Sequence, residues 1–439
     1  MKKFIIFYFL SCLHANDQIP GIKQKRPILL RGGILHTVSG QVLEGYDLLF
    51  ANGKITTIDK QIKPSPDTDV YDIYEKHVVP GYIAPITQIG LVEIGAVKQT
   101  RDYSEVGNIN PNVRANVSYN PDSELIPVTR SNGVLIANSV PHSNGLIPGQ
   151  SSCMMMDGWT WEDATIKHPT GLHINWPNMQ INFRKNSKIT EKKQRENYQK
   201  KLRELDKLIR DTRSYHLRTT QKERKADQKQ QTDLRLEALI PYFVNKNQII
   251  VRANSIRQIT AVIEWSEKFG LKIAIAGGRD SWRITDMLVK YNIPVILQHV
   301  QTTPMRRYEP IHSSYKIPAM LQQKGVKFCL STDQGYPFNG HVRTLPNEAM
   351  RSSSWGLSKD QALRSITLSA AEILGIDKRV GSLESGKDAT FFITDEHPME
   401  MTANPLEAYI MGKKVDLSDR QKMLYEKYKE KYRRKGRLD

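Results

Sequence analysis

At 439 residues the chain is long enough for one large domain with a smaller companion, or for two or three ordinary ones. A 39% hydrophobic share is ordinary for a fold with polar insertions, and no run of about 18 apolar residues marks an internal membrane span. The net charge of +18 is unevenly spread, and the three cysteines, Cys12, Cys153 and Cys329, lack the spacing of a disulfide framework or a thiolate metal site.

The first residues read as an export signal. Met1-Lys2-Lys3 is a short basic start, FIIFYFL is an apolar core of signal length, and Ala15 offers a small residue for cleavage. Residues 1–15 are therefore expected to be removed, giving a periplasmic or extracellular product. Lipid attachment at Cys12 is the less favoured alternative, because Phe9-Leu10-Ser11-Cys12 matches that pattern imperfectly.

From Pro27 to Val79 the chain shows short β-like runs divided by Gly and Asn turns. Alternating strand and helix patterns follow. GVLIANSV, QIIVRAN, LKIAIAGG, IPVILQHV and VKFCLSTDQG read as strands. IRQITAVIEWSEKFG, WRITDMLVKYN, IPAMLQQKG and SKDQALRSITLSAAEILG read as helices between or after them. Repeated β-then-α units imply parallel strands with crossover helices, and a barrel would carry its site at the strand C-termini. GSLESGKDATFFITD and AYIMGKKVDL return to short strands.

Two basic segments stand apart. Residues 184–229 carry an excess of roughly ten positive charges, and the tail from Lys413 carries about six more. Leu202, Leu205, Leu208 and Ile209 give the first a narrow apolar stripe at helical spacing; Tyr425, Tyr428 and Tyr432 do the same for the tail. Each is expected to be a helix with a solvated charged face. An acidic envelope surface suits such helices as a partner better than nucleic acid does, since an exported protein rarely meets the latter.

Three segments of this chain carry a family resemblance. GGILHTVSGQVLEGYDLLFANGKITTID, VVPGYIA, and ITLSAAEILGI with GSLESGKDATFFITDEHP together resemble the amidohydrolase superfamily, closest to its imidazolonepropionase-like members. The resemblance implies an α/β fold: a TIM-like barrel over 80–379, with a composite β-sandwich from 27–79 and 380–415. The basic insertion at about 184–235 and a C-terminal helix over 416–439 lie outside it. It also implies hydrolysis of carbon–nitrogen bonds other than peptide bonds. Divalent metal, zinc by default, would be held by an HxH pair ending strand one, histidines ending strands five and six, and an aspartate ending strand eight.

Carried over residue by residue, most of that set is missing. The HxH positions fall on Ile86 and Gln88, the strand-five histidine on Arg252 with Asn254 beyond it, and the strand-six histidine on Gly277. Only Asp333 matches, and it is the one candidate catalytic residue. A metal that lowers the pKa of water from about 15.7 to about 7 supplies roughly 12 kcal/mol toward hydroxide. A general base alone contributes only about 10²–10⁴-fold. No metal cofactor is therefore expected. Arg252, Arg279 and His299 become the candidate binding residues, suited to an anionic small molecule or a peptide-like ligand. Gly277-Gly278 reads first as barrel packing and second as a place of close ligand approach. The 141–152 loop reads equally as a pocket lining or an ordinary βα loop, 303–315 reads first as a solvated, salt-bridged loop and second as a lid or rim, and Trp159 and Trp161 are expected to pack. Oligomeric state cannot be read from the sequence.

Overall fold

The computed structural model describes residues 18–183, 189–220, 232–332 and 339–437. The expected signal, with Cys12, and the candidate Asp333 lie outside the described residues.

Five strands open the chain: β1 (Ile28–His36), β2 (Val42–Ala51), β3 (Lys54–Asp59), β4 (Asp69–Asp72) and β5 (His77–Pro80). Three close it: β14 (Phe391–Thr394), β15 (Pro405–Ile410) and β16 (Lys413–Val415). They form one eight-stranded sheet, ordered β16-β15-β14-β5-β1-β2-β3, with β4 paired to β1. β5 and β14 are antiparallel, with His77 opposite Thr394, so the two chain ends are sewn together. Asn52 and Gly53, both at positive φ, make the tight turn of the β2–β3 hairpin. The sheet curls on itself: Ile55 of β3 and Tyr409 of β15 share one core, and the Ile55 N–H donates to the Lys387 carbonyl at 2.9 Å. One curled sheet thus joins the two chain ends.

Between them lie β6 (Tyr82–Thr87), β7 (Val134–Ser139), β8 (Gly149–Met155), β9 (Thr165–Asn175), β10 (Ile249–Ala253), β11 (Ile273–Gly277), β12 (Val295–Leu297) and β13 (Phe328–Leu330). These run in sequence order across a second eight-stranded sheet. Ser331, just past β13, donates to the Ile86 carbonyl at 3.5 Å, so the edge strands meet and the ring is nearly closed. The strand–helix units after β9 are parallel, as the pattern predicts. β8 is not: it lies antiparallel to both β7 and β9. Its polar sequence, GQSSCMM, reads as loop, yet every residue is buried, because Ser151 and Ser152 find partners in the Gly171 carbonyl and His168 Nδ1.

The helices are α1 (Leu125–Arg130), α2 (Trp161–Ala164), α3 (Glu191–Thr220), α4 (Leu234–Val244), α5 (Ile256–Phe269), α6 (Thr285–Lys290), α7 (Ser313–Gln323), α8 (Leu345–Ser353), α9 (Lys359–Ser365), α10 (Leu368–Leu374) and α11 (Arg420–Arg433). α5 shows how locally the sequence sets them. Ser255 and Gln258 form a reciprocal capping box at its start, and Gly270, left-handed at φ 62°, ends it. Strand alternation separates two cores. Ile250, Ala274, Ala276, Ile296 and Cys329 face inward with Ile83 and Ile86, and Ala370, Ala371 and Leu374 of α10 join that interior cluster. Ile249, Val251, Ile273, Ile275 and Val295 face outward against α5 and its neighbours.

The basic insertion is anchored rather than free. α3 buries Leu205, Ile209 and Tyr215, and its Asp206 accepts from Trp265 Nε1 at 3.1 Å and pairs with Lys268 at 2.6 Å. The tail forms α11, which buries none of its residues. Trp161 packs on the barrel core as expected, whereas Trp159 is exposed.

Candidate functional site at the barrel mouth

The C-terminal ends of the parallel strands define the mouth. At the end of β6, Ile86 is 2% exposed and belongs to the interior cluster with Ile296 and Cys329. The position where a first imidazole would stand thus helps fill the barrel. Gln88, two residues on, is also buried.

On β10 the alternation that turns Ile250 inward gives Arg252 the same face. Its side chain is half-buried, and its carbonyl accepts from the Trp176 N–H at 3.2 Å. Asn254 follows, and its Oδ1 is buried with no hydrogen-bond partner among the described residues.

The end of β11 explains why Asn254 sits so. Gly277 has φ +102°, and a Cβ placed on it would come within 2.5 Å of Asn254 Oδ1 and 3.2 Å of the Ala253 carbonyl. A side chain here is excluded twice, by backbone conformation and by the neighbour that fills its space. The same holds for Gly278, at φ +61°, whose Cβ would meet Val295 at 2.5 Å. The glycine pair is thus explained by packing.

Beyond Gly278 the chain enters a clamp. Arg279 donates to the Thr303 carbonyl, and its partial burial lowers its pKa from the ordinary arginine value. Asp280 is 1% exposed at its side chain and takes a bidentate pair from Arg306, at 2.7 and 2.6 Å. It also accepts from the Ile256 N–H at the start of α5, at 3.0 Å, and lies 3.6 Å from Arg283 Nε. Glu309 accepts from Arg306 at 2.7 Å and from Arg283 at 2.8 Å. Burial pushes the Asp280 carboxyl upward, but the Arg306 and Ile256 hydrogen bonds outweigh it and hold its pKa below the usual range. The 303–315 rim is therefore tied down by charge-assisted bonds.

Past β12, His299 Nδ1 lies 2.8 Å from Glu348 Oε1 of α8, and the other carboxylate oxygen accepts from the Val300 N–H at 2.9 Å. Glu348 is 2% exposed. His299 is thus held by a buried acid and is not presented as an isolated base. Its acid partner is 49 positions away in sequence, and no local pattern announces it. Of the expected 141–152 loop, residues 149–152 open β8; the rest joins the antiparallel pair β7 and β8 and is held by Asn175, whose Nδ2 donates to the Ser143 and Gly145 carbonyls at 2.8 Å. Arg252, Arg279 and His299 thus end three neighbouring strands; Arg279 holds the 303–315 rim, His299 is tied to α8, and Arg252 is also engaged.

The donor chemistry does not fit a zinc centre of the expected kind. Ile86 and Gly277 offer no ligand, Gln88 offers an amide, and Arg252 brings a positive charge. Among the described residues no group of three or more His, Cys, Asp or Glu side chains is arranged to hold a metal ion. A different histidine group sits in the small sheet. His36 Nε2 and His77 Nδ1 are 2.9 Å apart, and the His397 ring meets His36 edge-on at 5.0 Å. Burial, with His397 and His77 nearby, pushes His36 down to about 3; burial and His397 lower His77.

Residues 307–418 match the Amidohydrolase family, a stretch that includes the α9–α10 turn and the return into the small sheet. The amidohydrolase tasK of Hapsidospora irregularis is 21% identical over 400 residues, 83% of this chain and 39% of that protein. An imidazolonepropionase of Mesorhizobium japonicum is 34% identical over 109 residues, 24% of this chain and 27% of its own length. The chain thus spans well under half the length of these curated relatives. Among solved structures, an amidohydrolase from Thermotoga maritima superposes with a TM-score of 0.76 at 24% identity, covering 89% of this chain and 99% of its own. A Xaa-Pro dipeptidase with methionine bound in its active site superposes with a TM-score of 0.54 at 14% identity, over 89% and 100%. At these identities the likeness is one of fold.

Proposed function

Since this chain is an amidohydrolase-superfamily, imidazolonepropionase-like protein, we propose that it is an exported, non-hydrolytic member whose barrel binds rather than cleaves. The observation that carries this reading is the end of β11. By the resemblance Gly277 takes the position of a metal-binding histidine, and Asn254 fills the space a side chain there would need. Ile86 in the barrel core and Arg252 on its inner face support it. A small anionic or peptide-like molecule suits the mouth: Arg252 supplies positive charge, the Gln88 amide supplies a donor, and Asn254 Oδ1 supplies an acceptor with no donor among the described residues. The names of the relatives set the chemistry to try first, amides and dipeptides.

The test has two arms. Purified full-length protein, expressed with zinc and then dialysed, is analysed for divalent metal. It is also screened by thermal shift against amides, dipeptides and anionic metabolites. Sub-stoichiometric metal with a ligand shift that Arg252→Ala removes is the expected result. Stoichiometric metal, with turnover that Asp333→Asn abolishes, would overturn the proposal and restore the family's hydrolysis.

A further inference from the structure

The helix α11 raises a problem that the barrel does not answer. An isolated helix of 14 residues is marginal in water, and most helices in proteins are stabilised by a packed face. α11 has no buried residue, yet it is planted firmly. Asp419 at its N-cap is 4% exposed, accepts from Ser131 Oγ at 2.7 Å, and caps the Gln421 and Lys422 N–H groups at 2.8 and 2.9 Å. The helix is held at one end and bare along its length.

Its faces are sorted. At 100° per residue, Leu424, Tyr425, Tyr428 and Tyr432 fall within about 100° of arc. They are 42%, 63%, 48% and 40% exposed. Lys431 flanks one edge of this stripe, and Lys422 and Lys429 flank the other. Lys429 lies over the Tyr425 ring, and Lys431 over the rings of Tyr428 and Tyr432. Both acids, Glu426 and Glu430, lie on the opposite side, and Glu430 is engaged by Arg433 and Arg434 at 2.8 Å.

We propose that α11 docks on an anionic lipid surface, its tyrosine–leucine face entering the headgroup region and its flanking lysines meeting lipid charge. A second copy fits poorly, because the same lysine edges would face each other. Nucleic acid is met by cations at the centre of a contact, and here the centre is aromatic and aliphatic with the cations at its margins. At its root α11 is held further by Gln18, which donates to the Ser418 carbonyl at 2.6 Å and to its hydroxyl at 2.9 Å. This inference stands apart from the reading of the barrel mouth.

Co-sedimentation of the full chain with vesicles tests it. Vesicles of phosphatidylcholine alone are compared with 70:30 phosphatidylcholine–phosphatidylglycerol, at 0.1 and 0.5 M salt. Binding to the anionic vesicles at low salt, weakened at least tenfold by high salt and by the triple change Lys422→Glu, Lys429→Glu, Lys431→Glu, is expected. Tyr425→Ser with Tyr428→Ser should weaken it several-fold. Circular dichroism and thermal melts of each variant separate lost binding from lost folding. Equal binding to neutral vesicles, unchanged binding by the variants, or no binding by the wild type would overturn the proposal. So would a tyrosine-dependent dimer in light scattering, or preferential binding of duplex DNA over anionic vesicles.

Discussion

The two ends of the barrel have been put to different use. At the lower end α10 contributes Ala370, Ala371 and Leu374 to the interior core, and the chain then returns into the small sheet within the stretch that matches the amidohydrolase family. There the demand is packing, and small and branched apolar residues meet it. At the mouth stand Ile86, Gln88, Arg252 and Gly277, the residues that the family resemblance would set at metal-ligand positions. Ile86 and Gly277 have been drawn into packing, and the neighbouring chain into clamps. On the reading proposed above, packing at the lower end keeps the scaffold while the mouth is turned to binding.

Four measurements would break or sharpen that contrast. Gly277→His attempts to restore a ligand where the structure forbids a side chain. Strain at positive φ and the Asn254 collision together should cost about 4 kcal/mol, read as a fall in the denaturation midpoint. A stable variant that gains metal would show the mouth to be only lightly altered. Arg306→Ala removes the bidentate partner of a buried carboxylate. The loss should be about 3 kcal/mol, softened because Arg283 stays 3.6 Å from Asp280.

A third measurement concerns the small sheet. The folded pKa of His36, about 3, lies below the unfolded value of 6.5, so the unfolded chain binds the extra proton between them. Stability is full above about pH 6.5 and is lost as pH falls toward 3. Between pH 7 and 5 the loss from His36 should be about 2 kcal/mol, and His36→Phe should flatten the slope in urea titrations at the two pH values. The mildest effect belongs to the tail. Deleting residues 421–439 removes a helix with no buried residue, so stability should change by no more than about 0.5 kcal/mol. A larger loss would mean that α11 packs on the body of the protein.

Much of the fold was legible because its signals are local. The capping box of α5, the Asn52-Gly53 turn and the apolar strands after β9 each follow from neighbouring residues. β8 escaped because Gly149, Gln150, Ser151 and Ser152 look like loop, and their burial depends on partners supplied by other strands and loops. In the site, the absence of an HxH pair and the identities of Ile86, Gln88, Arg252 and Gly277 were readable from sequence. The filling of the Gly277 space by Asn254, and the hold of Glu348 on His299, were not, since each joins residues from separate elements.

The pairing of β5 with β14 also sets an order of events. His77 and Thr394 are neighbours in the sheet but lie more than 300 positions apart in the chain. At roughly 5–20 residues per second, a ribosome needs on the order of 15–60 s to deliver the second strand after the first. Throughout that interval β5 lacks its β14 neighbour, and the exposed edge is open to chaperones or aggregation. By the same pairing, the stretch over 307–418 is not a self-contained folding unit. Its last strands depend on a partner made long before them, so any fragment lacking residues 28–80 should fail to fold that sheet.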